Sequence, residues 1–569
     1  MTLSEAMDAA RNALTQSDYA ALEAAARKAL ELSGIQERSA TQWFPKLTGE
    51  KRGAALEAAI LLTHALLQQG RWREAVQAGW DLEGMDRKRL APLKLLEAEA
   101  YFREGDWLCD TPLHVARQIL RELPAQRAGS SRGTRVSEHA GGRPGLCGLL
   151  KDRPEGALQA EVYLAAARYA RFLAYYEEAA ADLRKAGVIL KKLPEDKALW
   201  AQWEAERGHL ELDWKEEAGT ARKHFERALE WDADNFEARK GMGDVASMEG
   251  RGEEALEWLR PLESGRDPEV LGAIGWTYGS LGDQARAEEY FERALQRSLE
   301  WYGRFHPLTG LVLFWFGSFR LSQGERRAEA VELLERSVAT FQCGLHEDHP
   351  WVEGAREMVE ELRPPGARVY ASPNAEWYEE VRRQVEGLRQ ARVESLQLDV
   401  QPPAAVEDVE AVERVLGKRL PESFRDVLLG FARAVRIFYY AEDRGILGCL
   451  EWDLERLLPT HVQYLRWEGT QGPEDWTPWR NRLAFLPVGN GDSVTIDLGS
   501  EDGAVVYYDH EWGKMQGVAL APNFGEFLRR VLYLGAVGDH SYQEFLGPDG
   551  LDVENDRARE WHAWIYGES

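Results

Sequence analysis

The chain has 569 residues, 44% of them hydrophobic and 29% charged, with a formal net charge of −26. That length exceeds what one hydrophobic core organises, so two or more domains follow. The acidic balance argues against nucleic acid as the main partner, because phosphate binding needs a basic face. Four cysteines, Cys109, Cys147, Cys343 and Cys449, stand apart with no CxxC pair. They argue against a zinc ribbon and a disulfide framework, and they fit a reducing compartment.

The N-terminal MTLSEAMDAARNALTQSDYA lacks the basic-then-apolar order of a signal peptide. The most apolar run, LVLFWF at 311–316, is far short of the about 20 residues that span a bilayer. The expectation is a cytoplasmic protein with no membrane partner. Residues 1–123 carry weak helical repeats. Residues 124–150, rich in Gly, Ser and Arg with no helical stripe, are expected to form a flexible loop. Residues 151–363 repeat more clearly.

In PEVLGAIGWTYGSLGDQARAEEYFERAL, the residues Leu271, Ile274, Gly275, Tyr278, Gly282, Ala287, Phe291 and Ala294 mark the register. Met242, Gly243, Ala246, Gly250 and Ala255 occupy the same places 32 residues earlier. The pattern resembles the tetratricopeptide repeat. Small residues at Gly243 and Gly275 let two helices approach, Gly250 and Gly282 take the turn, Ala255 and Ala287 sit at the crossing, and Phe291 fills the gap to the next repeat. The groove positions of that family fall on Trp276 in one repeat and on Lys240 and Asp244 in the previous one. His306-Pro307 and His349-Pro350 lie 43 residues apart and resemble the longer repeats of kinesin light chains. Proline at a helix start with histidine as the cap explains them without a metal.

Two short motifs are decoys. GMGDVA at 241–246 matches a dinucleotide fingerprint but follows a helical pattern, not a strand. DADN at 232–235 lacks the later ligands of a calcium loop and reads as a turn between repeats. No P-loop, HExxH, GxSxG or kinase set is present.

Residues 364–399 read as a linker helix bounded by prolines, with a hinge expected at 393–403. A different pattern fills 400–569, which holds 29 Asp+Glu against 16 Lys+Arg. VEDVEAVERVLGKRLPESFRDVLLGF gives two helices, with Val409, Val412, Val415 and Leu416 on the first inward stripe and Phe424, Val427, Leu428 and Phe431 on the second. RIFYYA, LAFLPVG, SVTIDL and AVVYYD read as strands. PNFGEFLRRVLYLG closes the pattern as a helix, with Asn523 and Glu526 as a capping box, and a helical tail follows. LGKRLPESFRDVLL, FLPVGNGDSVTIDL, GAVVYYDHE and VALAPNFGEFL, in that order, resemble the SUKH superfamily of Smi/Knr-type cell-wall regulators and bacterial immunity proteins. The resemblance covers about residues 400–536. It implies an α+β domain with a mostly antiparallel, curved sheet, a protein-binding role and no common catalytic residues. The fold expected for the chain is therefore multidomain: an all-α tetratricopeptide-type solenoid followed by an α+β SUKH-like domain.

The densest polar stretch, 485–528, contains Asp492, Asp497, Asp509, His510 and Glu511. Gly489, Asn490 and Gly491 are expected to supply the positive-φ residues of a tight turn, with Asp492 bonded inside it. Strand alternation sends Asp509 and His510 to opposite faces unless the strand has ended, and no nucleophile or paired acid and base stands out. The expectation is no catalytic residue, no metal and no cofactor. Asp497, Asp509 and Glu511 would form a charged rim around Tyr508 and Trp512, facing a protein partner such as a basic toxin or a regulatory protein. The alternatives are a regulatory adaptor that binds peptides in the helical groove, and a hydrolase or metal enzyme in the C-terminal domain.

Overall fold

The computed structural model describes residues 1–16, 18–33, 50–69, 71, 74–75, 93–96, 98–101, 111–122, 155–265, 267–324, 326–363, 370–391, 393–465, 481–500, 502–510 and 513–566. The loop expected at 124–150 lies outside them. The chain divides into two compact units, Met1–Gly324 with Gly344–Glu353, and Glu325–Cys343 with Gly354–Ser569. Among the described residues no helix is long and apolar enough to cross a membrane.

The first unit is helical. Helices α1 (Leu3–Thr15), α2 (Tyr19–Ser33), α3 (Glu50–Gln68) and α4 (Thr111–Glu122) precede a run of hairpins. These are α5 (Glu155–Phe172) with α6 (Tyr176–Leu190), α7 (Lys197–Lys215) with α8 (Ala218–Trp231), α9 (Phe236–Met248) with α10 (Gly252–Leu259), and α11 (Pro268–Ser280) with α12 (Gln284–Trp301). Helix α13 (Pro307–Ser322) follows. The turns need left-handed backbone, and Gly250 and Gly282 supply it at φ +73° and +83°. At the crossings Ala255 and Ala287 are fully buried. A methyl group on Gly243 would stand 2.5 Å from Leu259, so the close approach requires glycine. Phe291 stacks on Phe316 of α13 at 5.4 Å between centroids, which joins one repeat to the next. Both histidines cap helices as expected: Nδ1 of His306 accepts from the Leu308 amide at 3.0 Å, and Nδ1 of His349 accepts from the Trp351 amide at 3.1 Å. The other nitrogen of His349 donates to the Phe172 carbonyl at 2.9 Å. GMGDVA lies inside α9, and Asn235 of DADN caps that helix.

The second unit mixes helices and antiparallel strands. Helices α14 (Arg327–Gln342), α15 (Pro350–Leu362, its first residues belonging to the first unit) and α16 (Ala375–Gly387) come before strand β1 (Glu394–Val400). Next come α17 (Val406–Leu416), α18 (Glu422–Gly430), β2 (Ala434–Ala441), β3 (Ile446–Asp453) and α19 (Leu454–Leu465). Then follow β4 (Arg482–Pro487), β5 (Ser493–Asp497), β6 (Val505–Tyr508), β7 (Ala519–Ala521) and α20 (Phe524–Tyr533). A short pair, β8 (Leu546–Gly547) and β9 (Gly550–Leu551), and helix α21 (Asp556–Tyr566) complete the unit. The strands form two larger sheets, β1-β2-β3 and β4-β5-β6-β7, beside the β8-β9 pair. The two inward stripes expected on α17 and α18 are buried, and Gly417 ends α17 at φ +70°. Phe424, Phe485 and Phe524 meet in the core, with Phe424 and Phe524 at 4.5 Å and Phe485 and Phe524 at 5.3 Å. Asn523 caps α20 through the Glu526 amide, but the Glu526 carboxylate turns to Arg529 and Arg530, so the box is half formed.

The hinge expected at 393–403 is corrected. Residues 394–400 pair antiparallel with β2, placing half-buried Leu398 opposite buried Ile437 and half-buried Val400 opposite buried Val435. Their apolar side chains join the core face, which a free linker could not allow. The segment before β1 is tied down as well. Asp426, 5% exposed, accepts from Tyr370 and Tyr378 at 2.6 Å each, from Asn374 at 2.8 Å and from Ser372 at 3.0 Å.

Candidate functional site

The turn between β4 and β5 builds the densest polar cluster. The Gly491 amide bonds the Val488 carbonyl at 3.0 Å, and the Val488 amide bonds the Asp492 carbonyl at 2.9 Å. Gly491 alone takes positive φ, at +102°, so Gly489 and Asn490 do not share that role. Asp492 is 2% exposed, and its carboxylate is saturated. One oxygen accepts from the His510 amide at 3.0 Å and from His510 Nδ1 at 2.7 Å. The other accepts from the Tyr507 hydroxyl and the Asn490 amide, both at 2.8 Å. Burial alone would raise the Asp492 carboxyl, and the bonds from His510, Asn490 and Tyr507 outweigh it and hold it below the usual carboxylate range.

Strand β6 ends at Tyr508, so Asp509 and His510 escape alternation. Ligand atoms of Asp492, Asp509 and His510 lie within 4.8 Å of one another. A cation there would have to displace donors that Asp492 already holds. The chemistry this arrangement performs is to lock the strand ends together.

The rim expected around this stretch is redrawn. Tyr508 is 1% exposed and packs against Tyr464 and Ala484, because β6 is covered on both faces, so it cannot anchor a partner. Asp497 lies opposite Arg482 and accepts from the Gly499 amide at 2.8 Å, at the far end of the β5-β6 hairpin from Asp509. Four residues of strand, roughly 13 Å, separate those ends, so the two carboxylates do not share one rim. Asp509 is half-buried, and its amide donates to Gln516 at 2.7 Å. Glu511 and Trp512 lie outside the described residues.

On the helical unit, Lys240 of α9 lies 3.3 Å from Asp244 and 3.5 Å from Glu269 of α11. Burial works against the Lys240 ammonium, and Asp244, Glu269 and Glu237 outweigh it, so its pKa is raised. Trp276, also on α11, is 43% exposed, which makes it surface rather than core. Beside it the Thr277 hydroxyl reaches Ser247 of α9 at 3.5 Å. Sequence reasoning missed a deeper polar lane: Arg171 lies 3.6 Å from Glu206, and His209 lies 3.7 Å from Glu237. Its signal was polar residues on the first helices of successive hairpins, Arg171 on α5, Glu206 and His209 on α7 and Glu237 on α9.

Sequence reasoning also missed one face of the β1-β2-β3 sheet. Along β2 burial alternates strictly, with Val435, Ile437, Tyr439 and Ala441 inward and Arg436, Phe438 and Tyr440 outward. Phe438 and Tyr440 are 41% and 48% exposed. The alternation was legible in RIFYYA, but which face met solvent was not.

Two classes of domain meet in this geometry, a helical hairpin array and an α+β domain with antiparallel sheets. The family described as SMI1 / KNR4 family (SUKH-1) matches residues 403–530, and the family described as tetratricopeptide repeat matches residues 268–300. Both agree with the resemblances drawn from the sequence. No curated protein matches the chain. Among solved structures, a tetratricopeptide repeat protein from Parabacteroides merdae ATCC 43184 is 15% identical over 63% of this chain and 98% of its own, with a TM-score of 0.28. A Rap protein complexed with competence and sporulation factor is 11% identical over 63% and 97%, with a TM-score of 0.38. Aspartyl phosphate phosphatase F from Bacillus subtilis is 12% identical over 65% and 96%, with a TM-score of 0.30.

Proposed function

We propose that the chain is a non-enzymatic protein-interaction scaffold whose SUKH-like domain binds a protein partner, and that the partner is a toxin the chain neutralises as an immunity protein. The observation that carries the non-enzymatic part is the Asp492 cluster. The Asp492 carboxylate has both oxygens occupied, so it serves as an acid, a base or a metal ligand only by giving up bonds it already holds. The family match over 403–530 supports the partner-binding part. The work is placed in the cytoplasm, a reading supported by the four scattered cysteines with no CxxC pair. A second reading, peptide binding in the helical groove, is favoured by the exposure of Trp276 on α11, a helix to which Lys240 of α9 is linked through Glu269.

The test expresses the products of reading frames next to this one, each alone and each with this chain. The expected result is that one product arrests growth, that this chain restores it, and that the two elute together. Growth restored while the product is degraded or modified by this chain would contradict a purely binding role. If no neighbour binds, the immunity reading fails.

A further inference from the structure

The exposed face of the β1-β2-β3 sheet is built like the centre of an interface. Phe438 and Tyr440 stand two residues apart on the central strand, so their rings lie on the same face. Opposite them on β3 are Cys449 and Leu447, both half-buried. Adjacent exposed aromatics on a sheet face are uncommon on a surface with no partner, and aromatic residues and arginine are the types that carry binding energy. The same face turns acidic toward its other end. Arg436 bonds Glu451 at 2.8 Å, and the register also places Asp399 of β1 and Asp453 of β3 on this face. Three carboxylates thus stand against one guanidinium, in a stretch of chain whose net charge is −13 (29 acidic against 16 basic residues over 400–569).

Strand β1 adds an open edge. Among the described residues it pairs only with β2, and the bond from the Gln401 amide to the Ala434 carbonyl sets the phase of the ladder. The backbone groups of Leu398 and Val400 therefore point away from β2. The edge is short, running from the irregularity between Glu394 and Gln397 to Pro402 and Pro403, so it cannot hold a partner without the face.

The geometry points to this sheet face as the docking surface for a basic protein segment, with Phe438 and Tyr440 as anchors and Asp399, Glu451 and Asp453 as the charged margin. Lysine and arginine suit both halves of the face, because their stems and charges pack on aromatic rings while carboxylates lie alongside. A second copy of this chain would bring carboxylates against carboxylates. The proposal rests on the protein-interaction reading above and adds the surface and the charge of the partner.

The test uses the full chain and a labelled, end-capped peptide of alternating Lys and Thr, with a Glu and Thr peptide as its counterpart, read by fluorescence anisotropy. The Lys peptide should bind and the Glu peptide should not. The double substitution Phe438→Thr with Tyr440→Thr, which keeps strand-favouring residues, should weaken binding by about tenfold or more. Asp399→Lys, at an exposed position, should weaken it independently and guards against misfolding of the double variant. Val188→Ala, at an exposed position of α6, should leave it unchanged. If only Trp276→Ala weakens the Lys peptide, the chain still binds proteins but this surface is overturned. If both peptides bind alike, or neither sheet variant matters, the proposal is overturned while the growth test stands on its own. If the chain is a dimer that the double variant makes monomeric, the occupant is a second copy and the proposal is wrong.

Discussion

A methyl group added at Gly241 would stand 2.2 Å from the fully buried Phe225 ring, whereas one added at Gly219 meets nothing within 4 Å. Both glycines are helical. Gly241→Ala must displace a ring that already packs on His209 at 5.0 Å between centroids, and it should cost about 1–3 kcal/mol. Gly219→Ala should be neutral or gain about 0.4–1 kcal/mol, since it restricts the unfolded chain without strain. Urea denaturation of the pair checks the order, and equal midpoints would contradict the packing. Protonation is the second residue-scale lever. Burial pushes His64, His349 and His461 down to about 4, with the Phe172 carbonyl partly opposing it at His349. Unfolded histidine titrates near about 6.5, so as pH falls from there toward 4 the unfolded chain takes up protons that the folded chain refuses. Stability should be full above that window and fall through it. Asp492 and Asp426, both held below the usual carboxylate range, extend the loss to lower pH, because their contribution is present above the unfolded pKa and disappears as pH falls through the folded one. A melting temperature that stays flat from about pH 7 to about pH 4.5 would contradict the buried neutral histidines.

At the scale of elements, the segment ahead of β1 depends on Asp426, which receives four side chains from residues 370–378. Asp426→Ala would leave the buried Tyr378 hydroxyl without its acceptor. It should cost about 1–3 kcal/mol and lower amide-exchange protection over Ala375–Gly387. Fragments test the same dependence. One that begins at residue 400 loses β1 and the donors to Asp426, one that begins at 370 keeps them, and one that begins at 325 also keeps Glu335, which pairs with Arg414 and lies 3.7 Å from Arg363. Melting temperatures should rise in that order, and a 400–569 fragment as stable as the longest would contradict it. The repeats were legible because their glycines and alanines answer to local geometry. Strand β2 was legible because RIFYYA alternates. Strand β1 was missed because ESLQLDV lies between a helix and two prolines, and only its pairing with β2 makes it a strand. Tyr508 was misplaced because VVYY is buried on both faces, a property of the sheets around it that no local pattern encodes.

At the scale of the molecule, charge is the feature most open to test. The last 170 residues carry −13 of the total −26, and in this part of the chain the sequence pointed to protein contact at Asp497 and Asp509, while the structure draws attention to the β2 face. What the sequence supported was the acidity and the domain type, because both follow from composition and ordered motifs. It did not support the location of the surface, because exposure depends on which sheet face the rest of the unit covers. Complementary charge acts mainly on association, and salt shortens its reach from about 10 Å at 0.1 M to about 3 Å at 1 M. The most direct measurement is the association rate of the purified partner with the full chain across that range. The account predicts a fall of about tenfold or more with little change in dissociation, and a further slowing by Asp399→Lys. An association rate that does not change with salt would contradict it.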